Sequence, residues 1–378
     1  VIMRMKFTDI VEFSGKTCST FDGKKNYIST GCVHDNHICK DEIETVEYIN
    51  KPSRANLVVE PGDILFAKMQ ATKKTLLINE DLSQNIYSTG FYAVKPKDGL
   101  ITKKCLFYLI NSSLFLGEKD KNCSGATQKA INNQGLSSIE LNIPEFSVQK
   151  LLTQKLDVLS KAIEVKQSQI RFFDNLIKAR FVEMFGNVKT NPYGFEKMAL
   201  KDTCTVITGN TPSRSVPEYY GDSIEWIKTD NIVSGRLSPS QALEYLSDEG
   251  IKVGRTVEKG AILMACIAGS VARVCITDRK VSFNQQINAI VPEDYDSLFL
   301  HTMLQLSKEY LVEEINMALK GILSKSKLEG KEFIVPSIEQ QKQFASFVAQ
   351  VNKSKFVVQK ALDEAQTLFD SLMQEYFG

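Results

Sequence analysis

The sequence predicts an α+β protein: two mixed α/β globules in tandem repeat, separated and followed by long helices that pair as an antiparallel coiled coil. Three observations carry that prediction. Two distant stretches are related by an internal repeat, both follow a four-three apolar spacing, and each is preceded by a block of short strand-like runs broken by turn residues.

The repeat is clearest at its ends. Residues 144–186 close on Arg180-Phe-Val-Glu-Met-Phe-Gly186, and residues 336–378 close on Ser371-Leu-Met-Gln-Glu-Tyr-Phe-Gly378. At an offset of 192, without a gap, ten of 43 positions are identical, among them Pro144/Pro336, Gln149/Gln341, Phe185/Phe377 and Gly186/Gly378. The shared frame, with proline at the start and Phe-Gly at the end, sets it apart from chance identity.

Each stretch reads as one long helix. Pro144 and Pro336 stand at the entrance, where a missing N–H costs little. Ser337 with Gln340 fits a capping box. Gly186 and Gly378 fall where a left-handed residue ends a helix, and Pro192 blocks continuation. The expected seam runs through Leu152, Leu156, Leu159, Ile163, Ile170, Phe173 and Ile177 in the first helix. In the second it runs through Phe344, Val348, Val351, Val358, Leu362, Phe369 and Leu372. Lys166 and Lys355 interrupt it near the middle of each helix, either to set register or to snorkel to solvent. Phe172, Phe181, Phe185, Phe356 and Phe377 exceed what one helix pair needs, so they are expected either at an interface or packed on the globules.

The blocks before the helices match each other as well. Glu60-Pro-Gly-Asp-Ile-Leu-Phe66 is similar to Glu258-Lys-Gly-Ala-Ile-Leu-Met264, and Phe91-Tyr-Ala-Val-Lys-Pro96 to Ile287-Asn-Ala-Ile-Val-Pro292. Residues 102–115 and 298–317 read as helices within them. The expected division is a globule over 1–146, a helix over 147–186, a globule over 187–336 and a helix over 337–378.

Composition narrows the function. With 378 residues, 43% hydrophobic and 24% charged, the chain is folded and not disordered. No run approaches the ~18 apolar residues of a membrane span, and the start lacks the pattern of a secretory signal. Eight cysteines spread from Cys18 to Cys275 read as reduced thiols of a cytoplasmic protein. The 46 basic residues against 45 acidic argue against a generally basic nucleic-acid binder but allow local basic faces.

Enzyme signals fail one by one. Phe13-Ser-Gly-Lys-Thr17 ends like a phosphate-binding loop, but Ile10 stands where that motif needs its first glycine. No G-x-G spacing exists for a dinucleotide fingerprint. Asn191-Pro-Tyr193 reads as a turn after the helix, and Asp278-Arg-Lys280 as a solvated turn. Cys32, His34, His37 and Cys39 are potential zinc ligands crowded into eight residues. A short loop rarely wraps a tetrahedron alone, so no metal is expected there.

At this point the chain resembles the specificity (S) subunits of type I restriction–modification systems. The residues that carry the likeness are Arg180-Phe-Val-Glu-Met-Phe-Gly186 followed by Asn191-Pro-Tyr-Gly-Phe195, then Gly209-Asn-Thr-Pro-Ser-Arg214, Pro217-Glu-Tyr-Tyr-Gly221 and Trp226-Ile-Lys228. Ile334-Val-Pro336 leading to Gln340-Gln341 fits too. In the first globule Gly62-Asp-Ile-Leu65, Ser88-Thr-Gly-Phe91 and Gly125-Ala-Thr-Gln128 fit more loosely. A departure is Ser147-Val-Gln149, where the family often has Glu-Gln. The resemblance implies that each globule is a target-recognition domain reading one half of a bipartite, asymmetric site on double-stranded DNA. The paired helices would set the spacer and dock two modification subunits, which carry S-adenosylmethionine and the adenine-N6 chemistry. A restriction subunit is a further partner that the resemblance admits. The chain itself would hold no cofactor and no catalytic residue. About 38 helical residues at ~1.5 Å each give a ruler of roughly 57 Å.

On that reading the DNA contacts come from basic, amide and aromatic side chains in loops. In the first globule the candidates are Lys24, Lys25, Asn26, Tyr27, Lys68, Gln70, Lys73, Lys74, Thr127, Gln128, Lys129 and Asn132. In the second they are Thr211, Ser213, Arg214, Tyr219, Tyr220, Lys228, Asp230, Asn231, Arg273, Asn284, Gln285, Gln286, Lys320 and Lys325, with Arg214 foremost. The rival readings are a coiled-coil scaffold that binds only proteins and a fragment of a fused methyltransferase.

Overall fold

The structure, a computed structural model, describes residues 2–126, 128–233, 236–313 and 321–378. Contacts group the chain into two compact units, Val1–Gln167 with Lys360–Gly378, and Ser168–Gln359. Each unit therefore holds one globule, part of the first long helix and part of the second.

In the first unit the strand Ile2–Lys6 pairs antiparallel with Glu140–Pro144, the strand that leads into the first long helix. A four-stranded sheet follows the order Thr75–Leu77, Ile64–Ala67, Phe91–Pro96, Val11–Phe13. A five-stranded sheet follows the order Lys16–Thr17, Ala55–Val58, Ile86–Ser88, Lys24–Ile28, Glu44–Glu47, with Lys24–Ile28 and Ile86–Ser88 parallel. Lys24 to Tyr27, expected in a loop, thus belong to a strand inside a sheet. The run Ile64–Ala67 shows why the sheet is central: all four residues are buried. Side chains alternate across a strand. Ile64 and Phe66 join the core that includes Phe7, Phe115 and the long helices, and Leu65 and Ala67 join a second core with Ile28, Leu76 and Tyr87.

The second unit repeats this plan. Lys197–Ala199 pairs with Glu332–Ile334 ahead of the second long helix. The four-stranded order is Val274–Ile276, Ile262–Ala265, Ile287–Pro292, Cys204–Thr208, matching the first sheet strand for strand. In the five-stranded sheet, Ile224–Ile227 and Val281–Phe283 form the equivalent parallel pair. The segments matched in sequence coincide here. The turns before the central strands place Gly62 at φ +94 and Gly260 at φ +96, a region that other residues enter at a cost.

Two expected helices divide. Residues 102–115 hold Lys103–Ile110 and the start of Ser113–Lys121. The Ser112 hydroxyl accepts from Phe115 N at 3.2 Å and so caps a new helix in the middle of the run. Residues 298–317 hold most of Ser297–Leu306 and then Lys308–Val312, the first capped by Asp296; the remainder, 314–317, lies outside the described residues.

The long helices span Phe146–Phe185 and Ile338–Phe377, 40 residues each. Ser337 and Gln340 form the reciprocal capping box, at 3.3 and 3.4 Å. Gly186 ends the first helix at φ +71. Gln149 and Gln341, identical in the repeat, turn out to be buried clamps. Gln149 Oε1 accepts from Thr102 N at 2.7 Å, and its Nε2 donates to Leu100 O and Pro144 O, both at 2.9 Å. Gln341 makes the same three bonds with Asp296 N, Asp294 O and Pro336 O. Each clamp ties the first turn of a long helix to the cap of a globule helix.

The seam residues are buried or half-buried throughout. Leu152 and Leu156 share the first unit's core with Phe369, Leu372 and Phe377. Phe181 and Phe185 share the second unit's core with Phe344 and Val348. In each unit the start of one helix therefore meets the end of the other, so they run antiparallel. Lys355 does not snorkel freely: its Nζ lies 2.5 Å from Asp174 Oδ1 on the other helix, with 14% of the side chain exposed. Lys166 is half-buried. The surplus phenylalanines separate into two groups. Phe181, Phe185 and Phe377 are buried in the cores, as the reading that packs them on the globules expects, whereas Phe172 and Phe356 remain 62% and 71% exposed.

Gln341→Leu keeps the bulk but leaves the Asp296 N–H without its buried acceptor. It should cost about 1–3 kcal/mol in urea unfolding; an unchanged midpoint would refute the clamp. A second check concerns His301, 6% exposed, whose Nε2 has no hydrogen-bond partner among the described residues. Burial pulls its imidazole down to about 4. The unfolded chain binds that proton near pH 6.5, so stability should be lost as pH falls from 6.5 toward 4. His301→Leu should flatten the melting temperature between pH 6.5 and 5, above the range where carboxylates titrate; an unaltered slope there would remove this account.

Candidate nucleic-acid interface

A polar cluster of the second globule assembles around Trp226, the chain's one tryptophan. The strand Ile224–Ile227 buries this ring to 3% exposure, and its Nε1 donates to Asn210 O at 3.2 Å. Tyr220 packs edge-on at 6.1 Å, with its hydroxyl donating to Pro212 O at 2.7 Å. Both rings are thus tied to the loop Gly209-Asn-Thr-Pro-Ser-Arg214. Two cations lie over this floor. The Arg214 guanidinium is 4.3 Å from the Tyr220 ring and 5.2 Å from the Trp226 ring, and Lys228 Nζ is 5.0 Å from Trp226. Both cations donate to the Glu244 carboxylate. Lys228 above all, with Arg214 beside it, holds that carboxyl below its usual range. Thr211 donates to Gln285 Oε1 and joins two more candidates.

In the first globule, loop 68–74 carries the main candidates. Lys68 Nζ lies 4.3 Å over the Tyr92 ring, and partial burial lowers its pKa. The loop is built on Lys119, whose side chain is 1% exposed. Its ammonium donates to Met69 O at 2.7 Å and Thr72 O at 3.1 Å and pairs with Asp120 at 3.1 Å. Gln70 Nε2 donates to Asp120 O, and Gln70 N to Lys129 O. Loop 68–74 and the segment bearing Gln128 and Lys129 are therefore one surface.

Other candidates are placed differently. Tyr27 is 6% exposed and faces a small core with Cys18 and Val46. Lys25 lies over Phe21, Lys24 is 4.0 Å from Glu47, and Lys74 Nζ donates to Thr30 O at 2.6 Å. Asn26 and Lys73 are exposed. Three amides serve the fold. Asn132 Oδ1 caps a helix through Gly135 N, Asn231 Oδ1 accepts from Lys228 N, and Asn284, 7% exposed, accepts from Gln286 N. Ser213 is hydrogen-bonded to Ser215 at 2.7 Å. Tyr219 and Gln286 are half-buried, whereas Asp230 and Arg273 are exposed. Lys325 opens a short helix, 3.4 Å from Glu329. Thr127 and Lys320 lie outside the described residues.

Sequence reasoning missed Trp226, Glu244, Tyr92, Lys119 and Asp120 as parts of these surfaces. Of these Trp226 had a signal, its rarity together with its place in the Trp226-Ile-Lys228 likeness. The cysteine–histidine cluster does not converge. Cys32 is buried, with its thiol donating to Glu42 O, while His34 pairs with the Glu42 carboxylate at 3.0 Å. Among the described residues no group of three or more His, Cys, Asp or Glu is placed to hold a metal ion. Among the same residues no helix is long and apolar enough to cross a membrane.

Comparison with known proteins bears on what such surfaces serve. The HindI specificity subunit of the type I restriction enzyme of Haemophilus influenzae is 24% identical over 356 residues, covering 74% of this chain and 76% of that protein. Among solved structures, the type I restriction–modification S subunit from M. genitalium superposes with a TM-score of 0.62 at 12% identity, covering 100% of this chain and 96% of the other. A chain from a structure of type I restriction–modification complex assembly and conformational transition gives 0.52 at 16% identity, covering 99% and 97%. Those likenesses establish a shared fold. The family described as the type I restriction modification DNA specificity domain matches twice, over residues 3–171 and 192–364. With two tandem copies across most of its length, the chain belongs to that family of DNA specificity domains.

Proposed function

We propose that this chain is the sequence-reading subunit of a type I restriction–modification complex and addresses a bipartite, asymmetric site on double-stranded DNA, one recognition domain per half-site. One observation carries the reading. The four-stranded sheets of the two globules share strand order and register, yet the globules present different polar surfaces, Lys68 with Gln70 and Lys129 in one and Arg214 with Lys228 over Trp226 in the other. A duplicated scaffold with divergent readers is what two unlike half-sites require. Cations over aromatic floors suit phosphate and base edges alike, since phosphate contacts set position and base edges set sequence.

The long helices supply the spacer in this reading. Forty residues at ~1.5 Å each give roughly 60 Å. They also offer a docking face for two modification subunits. Leu151, Val158, Val165 and Phe172 recur every seven residues along the first helix and are 49–69% exposed. Phe356, Val357 and Leu368 are exposed on the second. Such a stripe outside the seam suits partner helices. S-adenosylmethionine and the adenine-N6 transfer belong to those partners, and the assembly admits a restriction subunit as a further partner.

Removing seven residues from each long helix, around Lys166 and around Lys355, should shorten the spacer by about 10 Å, or roughly three base pairs at ~3.4 Å each. Mapping of methylated sites reads this directly, and an unchanged spacing would end the ruler reading. Leu151→Lys with Val158→Lys should weaken assembly with the modification subunit by about tenfold or more in gel filtration and leave the melting temperature in place. Undiminished assembly would remove the stripe from the interface.

A further inference from the structure

The Glu244 carboxylate is out of keeping with a surface meant for DNA. It stands on the Trp226 floor between the two cations best placed to meet a phosphate. Its position is set by the backbone, because Trp226 N donates to Glu244 O at 2.9 Å. The cations are set as well, each by a ring on one side and this carboxylate on the other. Arg214 keeps 56% of its side chain exposed and Lys228 37%, so both remain reachable from solvent. A carboxylate bridging an arginine and a lysine presents two anionic oxygens, as a backbone phosphate does. Any phosphate that binds there competes with it.

We infer that Glu244 acts as a resident competitor that sets the threshold for DNA binding, occupying Arg214 and Lys228 until a half-site with enough added contacts displaces it. The inference rests on the DNA-recognition reading of this surface. A random duplex offers only phosphate, which exchanges one anion for another with little gain. A cognate half-site adds base-edge contacts and can offset the loss of the Glu244 pairs. The carboxylate lowers affinity for every duplex alike, so that at a given concentration only duplexes with added base-edge contacts stay bound. It also keeps both side chains on the aromatic floor while the site is empty, so less side-chain freedom is lost on binding.

The test uses the chain assembled with its modification subunits and two labelled duplexes, one selected by the assembly from a random pool and one with its second half-site scrambled. Glu244→Gln keeps size and hydrogen bonding but removes the charge. Affinity for the scrambled duplex should rise about tenfold, and its log–log salt slope should steepen by about 0.9, the value for one additional phosphate neutralised. Affinity for the selected duplex should rise by a similar factor, so that the scrambled duplex becomes occupied at concentrations where the parent leaves it free. Unchanged affinity for the scrambled duplex, or an unchanged salt slope, would overturn the inference. The Arg214→Ala, Lys228→Ala double variant separates this failure from that of the underlying reading. If it weakens binding to both duplexes while Glu244→Gln changes nothing, the surface meets DNA and only the competitor role is lost. If the double variant binds as the parent does, the surface itself is misassigned.

Discussion

Closure of each core by two helix ends is the constraint on which the rest depends. The first unit's core takes Leu152 and Leu156 from the start of one long helix and Phe377 from the end of the other. The second takes Phe181 and Phe185 from an end and Phe344 and Val348 from a start. Neither globule is sealed by its own helix alone. In the second unit Phe185 lies 4.9 Å from Phe299 and 5.7 Å from Phe344, so the last turn of a helix becomes part of a globule's interior. Truncating a buried phenylalanine typically costs about 3–5 kcal/mol. The helix ends are therefore anchored far more strongly than any surface ion pair would anchor them, and the glutamine clamps fix the starts.

That constraint also explains what could be read in the chain. The repeat showed at Pro144/Pro336, Gln149/Gln341 and Phe185/Phe377 because those residues do the closing, and closing tolerates few alternatives. Gly62 and Gly260 were legible because a positive φ leaves few other choices. The reading surfaces were not legible in the same way. A lysine buried under a loop, as Lys119 is, and one exposed on that loop, as Lys73 is, look identical in sequence. Asn132, Asn231 and Asn284 were read as DNA contacts because amides suit base edges, but amides suit helix caps and turns equally well. The two broken helices failed for a related reason: the apolar pattern continues through Ser112, and only the capping geometry reveals the restart.

The nearly cancelled charge now has a structural counterpart. Several acidic residues of the recognition domains pair with cations there. Glu244 pairs with Arg214 and Lys228, and Glu225 with Arg279, beside a groove also lined by Tyr245 and Lys280. Glu60 pairs with Lys16 and Lys95, which hold its carboxyl down near 2. These pairs are partly or largely exposed, and exposed pairs add little stability. Their effect is on the field outside the protein. Each subtracts one unit from a local basic patch and weakens its pull on any polyanion.

A sequence-reading protein gains from that subtraction. Phosphate attraction is equal for every sequence, so a strong patch raises right and wrong sites together and leaves their ratio to the base contacts. Paired cations keep the non-specific share low and concentrate discrimination in the few contacts that know the sequence. The long helices then need no excess charge either. Residues 147–186 carry seven basic and four acidic side chains, and residues 337–378 carry four and five. Their exposed apolar stripe instead suits protein partners, which can add affinity for DNA without adding it to this chain. A net charge of +1 is thus compatible with DNA recognition, because the work is divided between readers that are locally neutralised and helices that face proteins.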